Sequence, residues 1–301
     1  MRYSLRQIQI FQEVAAERSY TRAAENLHLT QPATFAQVRQ LEEHVGHKLI
    51  ERLGKTLLLT DAGEIVLESS HRIMEETDNL EMALAELQGL ARGRLRLAVV
   101  STAKYDIPAR IGSYNEEFPG IEVALTVGNR EELLARFARN DDDLYILGTP
   151  PQELDATIER YSENPLVVIA PPDHSLTTHS NLTMRDVAKY PFLMRESGSG
   201  TRLAAERCFE DAGAVPKVRM ELGANEAIKQ GVIAGLGLSV LSRGTVTLEL
   251  RHGYLVELAV SPFPIIRHWH VAWRQEKRLS LAAESFVSRL MNGSAVPEEL
   301  A

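Results

Sequence analysis

The chain holds a single cysteine among its 301 residues, Cys208, so an internal disulfide is excluded. Cys208 lies in the helical pattern LAAERCFEDA, where a buried structural thiol is expected rather than a nucleophile. No apolar run approaches the roughly 20 residues that a membrane helix needs. The opening MRYSLRQIQIF has neither the apolar stretch nor the small-residue cleavage site of a secretory signal, and a cytoplasmic address is expected. Nucleotide-binding glycine patterns are missing as well: there is no Gly-x-Gly-x-x-Gly and no Gly-x-x-x-x-Gly-Lys-Ser/Thr. Neither a Gly-x-Ser-x-Gly elbow nor a His-Glu-x-x-His pair occurs, and no nucleophile has a recognisable base partner. An enzyme is therefore not expected.

Metal ligation is poorly supported. His268 and His270 share one face of a strand pattern, but no acidic or cysteine ligand lies near them in sequence. Asp141-Asp142-Asp143 precedes a strand and reads as a solvated turn. No repeat of fixed period and no low-complexity segment is found.

What is present is an ordinary globular composition, 44% hydrophobic and 25% charged, in a length that suits two or three domains. The formal net charge of −8 argues against a uniformly basic nucleic-acid binder. Its distribution is uneven. Residues 1–60 carry eight Lys/Arg and six Glu, a surplus of two positive charges, while the remainder is strongly acidic. Such asymmetry points to ends with separate jobs.

The first 60 residues read as helices. Leu5, Ile8, Phe11, Val14 and Ala15 fall on one face, and Ala23, Ala24 and Leu27 on a second, shorter one. Thr30 has the character of an N-cap, with Pro32 in the first turn, where its missing N–H does no harm. Phe35, Val38, Leu41 and Val45 continue the pattern to Gly46, and KLIERLGKTLLLTDAG predicts a small hairpin or wing. Residues 61–90 predict one long helix. Val66, Ile73, Leu80 and Leu87 recur every seven residues with Leu84 beside them, a seam that wants a partner helix. From Gly93 onward, compact apolar runs such as RLRLAVVS alternate with helical patterns, which implies α/β architecture.

Two short helices joined by His28-Leu29-Thr30 fit a helix-turn-helix whose second helix enters a major groove. Gln31, Thr34 and Gln37 offer amide or hydroxyl groups to base edges or phosphates, and Arg39, Arg52 and Lys55 offer charge to phosphates. A three-helix interaction module is the alternative. In the α/β part, ligands collect past the carboxyl ends of strands. Those ends carry Ser101, Thr102, Asn129, Arg130, Gly148 and Thr201, and Gly198-Ser199-Gly200-Thr201 opens a helix whose N–H groups suit an anion. Lys104, Arg130, Arg195, Arg202, Lys229 and Arg267 are candidate cations for the same cleft.

The stretch TRAAENLHLTQPATFAQVRQLEEHVGHKLIERLGKTLLLTDAGE closely resembles the N-terminal domain of LysR-type transcriptional regulators. The matching residues are Phe11, Ala23, Ala24, Leu27, Gln31, Pro32, Ala33, Leu41, Glu42, Leu49, Arg52, Leu59, Thr60 and Gly63. Within that family, VVSTAKY, VGNREELL, ENPLVVIAPPDH, RESGSGTR, GANEAIKQGVIAGLGLSVLS and FPIIRHWHVAWR are similar to regulators of Rubisco and Calvin-cycle operons. One departure stands out: Phe35-Ala36 occupies the place of the family's Ser and its basic or long neighbour.

The resemblance implies a fold of class α plus α/β. A winged helix-turn-helix spans 1–60 and a linker and dimerisation helix 61–91. A two-lobed effector domain like the periplasmic binding proteins spans 92–301, with lobe I at 92–162 plus 266–301 and lobe II at 163–265. DNA contacts are expected from Thr30, Gln31, Pro32, Thr34, Phe35, Gln37, Arg39, Arg52 and Lys55. Effector contacts are expected from Ser101, Thr102, Ala103 and Lys104, from Asn129, Arg130 and Gly148, and from Thr201, Arg202, Asn225 and Arg267. The family further implies promoter DNA, a dimer or dimer of dimers, and RNA polymerase as partners. It implies no cofactor, but a small anionic co-inducer such as NADPH or a phosphorylated sugar. A LysR-type regulator of amino-acid or aromatic metabolism, a solute-binding protein and an enzyme with an interaction domain are the competing readings.

Overall fold

The computed structural model describes residues 3–53, 56–87 and 92–292. The chain forms two compact units, one of residues 1–90 together with 139–141 and one of the remainder.

In the N-terminal unit, Ser4 caps α1 (Leu5–Glu17), its hydroxyl and the Gln7 side chain satisfying each other's backbone N–H groups. Ser19 caps α2 (Tyr20–Asn26). Thr30 caps α3 (Gln31–Val45), its hydroxyl accepting from Ala33 N at 3.3 Å, and Gly46 at φ 79° ends the helix. The turn between α2 and α3 passes through His28 at positive φ. Strands β1 (Ile50–Leu53) and β2 (Thr56–Leu59) pair antiparallel as the wing, and α4 (Asp61–Leu87) follows. Ile10, Phe11, Val14, Ala23, Val38, Leu41 and Leu49 form the core. The inward face of α1 is rotated from the sequence reading: Ile10 is inside and Leu5 is 43% exposed. Gly63 allows α4 to start tight against the wing, because a Cβ there would meet the Leu49 carbonyl oxygen at 2.1 Å.

The heptad residues of α4 have different surroundings. Val66 is half-buried against the N-terminal core, Ile73 is half-buried, and Leu80 and Leu84 are 58% and 51% exposed. The side chain of Leu87 lies outside the described residues. Among the described residues no helix is long and apolar enough to cross a membrane.

The second unit opens with β3 (Gly93–Val100), α5 (Ile107–Glu117), β4 (Ile121–Gly128), α6 (Arg130–Arg139), β5 (Leu144–Leu147) and β6 (Ala156–Glu163). The second lobe follows: β7 (Leu166–Ala170), β8 (Leu182–Thr183), α7 (Met184–Val187), β9 (Pro191–Arg195), α8 (Gly200–Asp211), β10 (Lys217–Leu222), α9 (Asn225–Ile233), β11 (Ser239–Ser242), α10 (Thr247–Arg251), β12 (Val256–Glu257) and β13 (Val260–Ser261). The chain then returns as β14 (His268–Arg274) and α11 (Leu281–Met291).

The first lobe is a five-stranded sheet in the order β4-β3-β5-β14-β6, with β3 parallel to β4 and β5, and β14 antiparallel to β5 and β6. In the second lobe β10 and β9 are parallel, β11-β7-β12 is antiparallel, and Leu193 N to Leu238 O (2.8 Å) joins the two sets. The lobes therefore share one plan, three parallel strands followed by a strand that runs against them. The sequence shows no repeat because the plan is conserved in backbone pairing and not in residue identity. β7, read from LVVIA as one more strand of an alternating α/β pattern, is buried throughout and antiparallel to both neighbours. An apolar run reports burial on both faces; it does not report direction.

The expected solvated turn at 141–143 is corrected at two of its three residues. Asp142 is 2% and Asp143 7% exposed. Asp142 accepts a bidentate pair from Arg136 (2.7 and 3.0 Å), and its N–H donates to the Tyr145 hydroxyl. Asp143 accepts from Arg96 N (2.7 Å), the Arg96 guanidinium and Lys277 Nζ (3.2 Å). Burial alone raises the Asp143 pKa, but Lys277 and Arg96 outweigh it and hold the carboxyl below its ordinary value. A depressed carboxylate stabilises the fold above the unfolded value of about 4 and ceases to do so as pH falls through the folded value. Asp143→Asn is expected to lower the stability of the C-terminal unit by roughly 3 kcal/mol at pH 7. The deficit should shrink as pH drops below about 4. Urea denaturation at a series of pH values checks this.

Candidate functional site

The first two turns of α3 present Gln31, Pro32, Phe35 and Ala36 to solvent, with Arg39 beyond them. Thr30 is exposed, its hydroxyl engaged in the cap. Gln37 is half-buried. Thr34, expected to reach a base edge or a phosphate, is corrected: it is fully buried and its hydroxyl donates to Thr30 O at 3.1 Å. Inward placement follows from helical spacing, since Thr34 shares the face of Val38 and Leu41. Arg39 stands 3.5 Å from Glu43 one turn on, a weak exposed pair that leaves it able to meet a phosphate. Arg52 is exposed on β1. Lys55 lies outside the described residues.

The helix is held to the wing by Glu42. Its carboxylate is buried and accepts from Leu49 N (2.9 Å), Ile50 N (3.3 Å) and Lys48 Nζ (2.6 Å). Glu42 thereby ties α3 to the start of the wing. Burial, and after it the Glu42 charge, push the Tyr20 hydroxyl up to about 12, so Tyr20 is a neutral phenol at any ordinary pH.

In the C-terminal unit a small, solvent-open cavity lies where the two lobes meet. The first lobe contributes Val100, Ser101, Thr102, Asn129, Arg130, Gly148 and Thr149. The rest comes from Asn164, Arg195, Ser199, Gly200, Thr201 and Arg267. Ser199 caps α8, so the free N–H groups of a three-turn helix open at this wall. Arg267 donates to Gly200 O at 3.1 Å, and its Nε is buried without a partner. Arg130 donates to Thr149 O at 3.2 Å. Among the described residues neither arginine pairs with a carboxylate. Burial first, then repulsion from Arg130 and Arg207, brings the Arg267 guanidinium down to about 10. Gly148 is required for this arrangement, because a Cβ there would stand 2.7 Å from Arg267 Nη2. Paired cations with spare donors at a helix N-terminus bind anions.

Residues 5–64 match the family described as "Bacterial regulatory helix-turn-helix protein, lysR family", and residues 88–294 match "LysR substrate binding domain". The chain belongs to the LysR family of transcriptional regulators. A RuBisCO operon transcriptional regulator of Acidithiobacillus ferrooxidans is 46% identical over 97% of this chain and 94% of its own length. The CcmR regulatory domain of Synechocystis PCC6803, solved in complex with 2-PG, is 46% identical with a TM-score of 0.64, over 66% of this chain and 96% of that one. A full-length OxyR variant from Pseudomonas aeruginosa is 22% identical with a TM-score of 0.73, over 97% of this chain and 94% of that one, and shares the fold.

In this LysR regulator, four residues expected around the effector do not line the cavity. Ala103 is fully buried in its 3-10 turn. Lys104 is paired with Glu226 at 2.8 Å. Arg202 is committed to Glu206, to Glu221 and to the Arg195 carbonyl. Asn225 is buried, accepting from Arg195 and donating to Ser101 O at 3.2 Å. Lys229, also weighed as a cleft cation, is neutralised by Glu249 at 2.9 Å. Asn129 does line the cavity, but its carboxamide oxygen caps α6 by accepting from Glu132 N. Sequence reasoning missed Asn164 and Thr149. The Asn164-Pro165 step after β6 was the one available signal, since Pro stops the pairing there.

Arg267→Gln removes the charge and leaves a shorter, polar side chain. Inorganic phosphate binding to the full chain should weaken about thirtyfold, equivalent to roughly 2 kcal/mol for charged hydrogen bonds. Calorimetric titration of both proteins, matched by circular dichroism, checks the expectation.

Proposed function

We propose that this LysR regulator controls CO2-fixation genes in response to a small phosphorylated metabolite held between its two lobes. The observation that carries the reading is the pair Arg267 and Arg130, uncommitted to any described carboxylate and facing the α8 N-terminus. The named role of the Acidithiobacillus relative and the 2-PG in the Synechocystis domain, 2-phosphoglycolate, supply the pathway and the ligand class. Three arginines and the α8 N-terminus in one lining suit a compact phosphorylated acid or a sugar phosphate. Among the described residues the lining holds three arginines, Arg130, Arg195 and Arg267, with Val100 as its one hydrophobic residue, which favours an anion over an uncharged aromatic co-inducer.

Gln31, Phe35, Gln37, Arg39, Arg52 and Lys55 form the DNA-contacting set, with Pro32 and Thr30 shaping the helix start. Two copies pair through α4, where Leu80 and Leu84 are 58% and 51% exposed, and two readers then engage two half-sites. A dimer of dimers that bends the promoter and contacts RNA polymerase extends the same scheme. The co-inducer acts by binding one lobe arrangement better than the other.

The test is a DNA titration across salt with the promoter beside the protein's own gene and a scrambled duplex. 2-Phosphoglycolate, sugar phosphates and NADPH are added in turn. Promoter-selective binding should weaken by about a thousandfold or more between 50 and 200 mM salt. A phosphorylated metabolite should shift affinity or footprint. Equal, weak binding to both duplexes, or no response to any phosphorylated metabolite, overturns the reading.

A further inference from the structure

The reading surface of α3 has an unusual chemistry for a groove-facing element. Its exposed first two turns carry Pro32, Phe35 and Ala36, none of which has a side-chain hydrogen-bond donor or acceptor. The one hydroxyl in this stretch past the cap, that of Thr34, is turned inward. Amides stand only at the margins, at Gln31 and Gln37. Phe35 is 46% exposed, so a large apolar ring faces solvent at the centre of a surface that is otherwise small or polar.

That ring is not loose. Tyr20 of α2 packs edge-on against it, with ring centroids 5.3 Å apart and planes at 68°. Tyr20 itself packs on the core built by Phe11, Val38 and Leu41. Phe35 is thus buttressed from behind by an aromatic rooted in the core, while its front remains uncovered.

In the major groove, hydrogen-bonding features mark every base except at one point. The thymine C5-methyl is apolar, and an apolar side chain is its natural contact. We propose that Phe35 makes this protein read a thymine by its methyl group, with Pro32 and Ala36 completing the apolar contact. The readout is a methyl sensor by construction: 5-methylcytosine presents the same group at the same place and should satisfy it, whereas uracil should not. This rests on α3 being the DNA reader.

The test uses the full chain. Selection from a random duplex pool defines the site that the wild type prefers. Each thymine of that site is then replaced by deoxyuracil, which keeps base pairing and removes only the methyl. One position per half-site should weaken binding about fourfold, the worth of one buried carbon group. Phe35→Ser should be indifferent to uracil at that position, and Phe35→Leu should keep the sensitivity. Replacing the same thymine by 5-methylcytosine, with guanine opposite, should bind better than unmethylated cytosine. Losing the edge contact with Tyr20 should lower the melting temperature by a few degrees in Phe35→Ser, and circular dichroism at the assay temperature should show both variants folded. The proposal is overturned if no uracil substitution matters, or if Phe35→Ser retains the wild-type uracil sensitivity. A wild type that selects no site at all would instead remove the DNA-reading role beneath it.

Discussion

The cleft depends on one short antiparallel crossing. The chain leaves the first lobe after β6 and returns before β14, and the two passages are tied by Asn164 N to Arg267 O (2.7 Å), Leu166 N to Ile265 O (2.9 Å) and Ile265 N to Leu166 O (3.0 Å). Each lobe completes its own sheet around a strand that runs directly into this crossing, β14 in the first and β7 in the second. Arg267 and Asn164 therefore stand at the floor of the cavity although about 100 residues separate them. The opposite rim is joined by side chains: Tyr105 donates to Glu226 at 2.6 Å, and Arg195 to Ser101 at 3.0 Å. A backbone hinge on one side and separable polar contacts on the other is the arrangement by which a ligand can favour one lobe separation over another.

Electrostatics divides the cationic residues of this region into two groups. Lys104, Arg202 and Lys229 are each neutralised by a carboxylate, and Arg195 spends its guanidinium on Glu196, Asn225 and Ser101. These hold the walls together. Arg130 and Arg267 are left to repel each other across a partly buried space, a cost that an anion relieves. A protein of net charge −8 can still hold two arginines without carboxylate partners among the described residues in one cavity, because local pairing is set by the fold and not by the total.

The N-terminal unit solves a different problem, that of holding a short helix rigid at a fixed angle to a wing. It uses a buried carboxylate, Glu42, that accepts two backbone N–H groups where the wing begins, and a glycine, Gly63, that lets α4 close against the same strand. Rigidity at the back of α3 is what allows its front to carry an exposed aromatic without collapsing onto it.

Local chemistry made much of this protein legible from its residues. Thr30, Pro32 and Gly46 delimit α3 because caps and fixed φ act over three or four residues, and the wing and the long helix followed from short-range pattern in the same way. The α/β class was readable from alternating runs. Strand direction was not, since β7 is apolar whichever way it lies. The inward turn of Thr34 was within reach of helical spacing, but its hydroxyl drew attention to function first. The state of each cation was beyond sequence altogether: Arg202 and Arg267 look alike as letters, and only the fold decides that one meets Glu206 and Glu221 while the other faces an open cavity. Charge pairing depends on distances between residues far apart in the chain, and those distances exist only once the two lobes have been built and crossed.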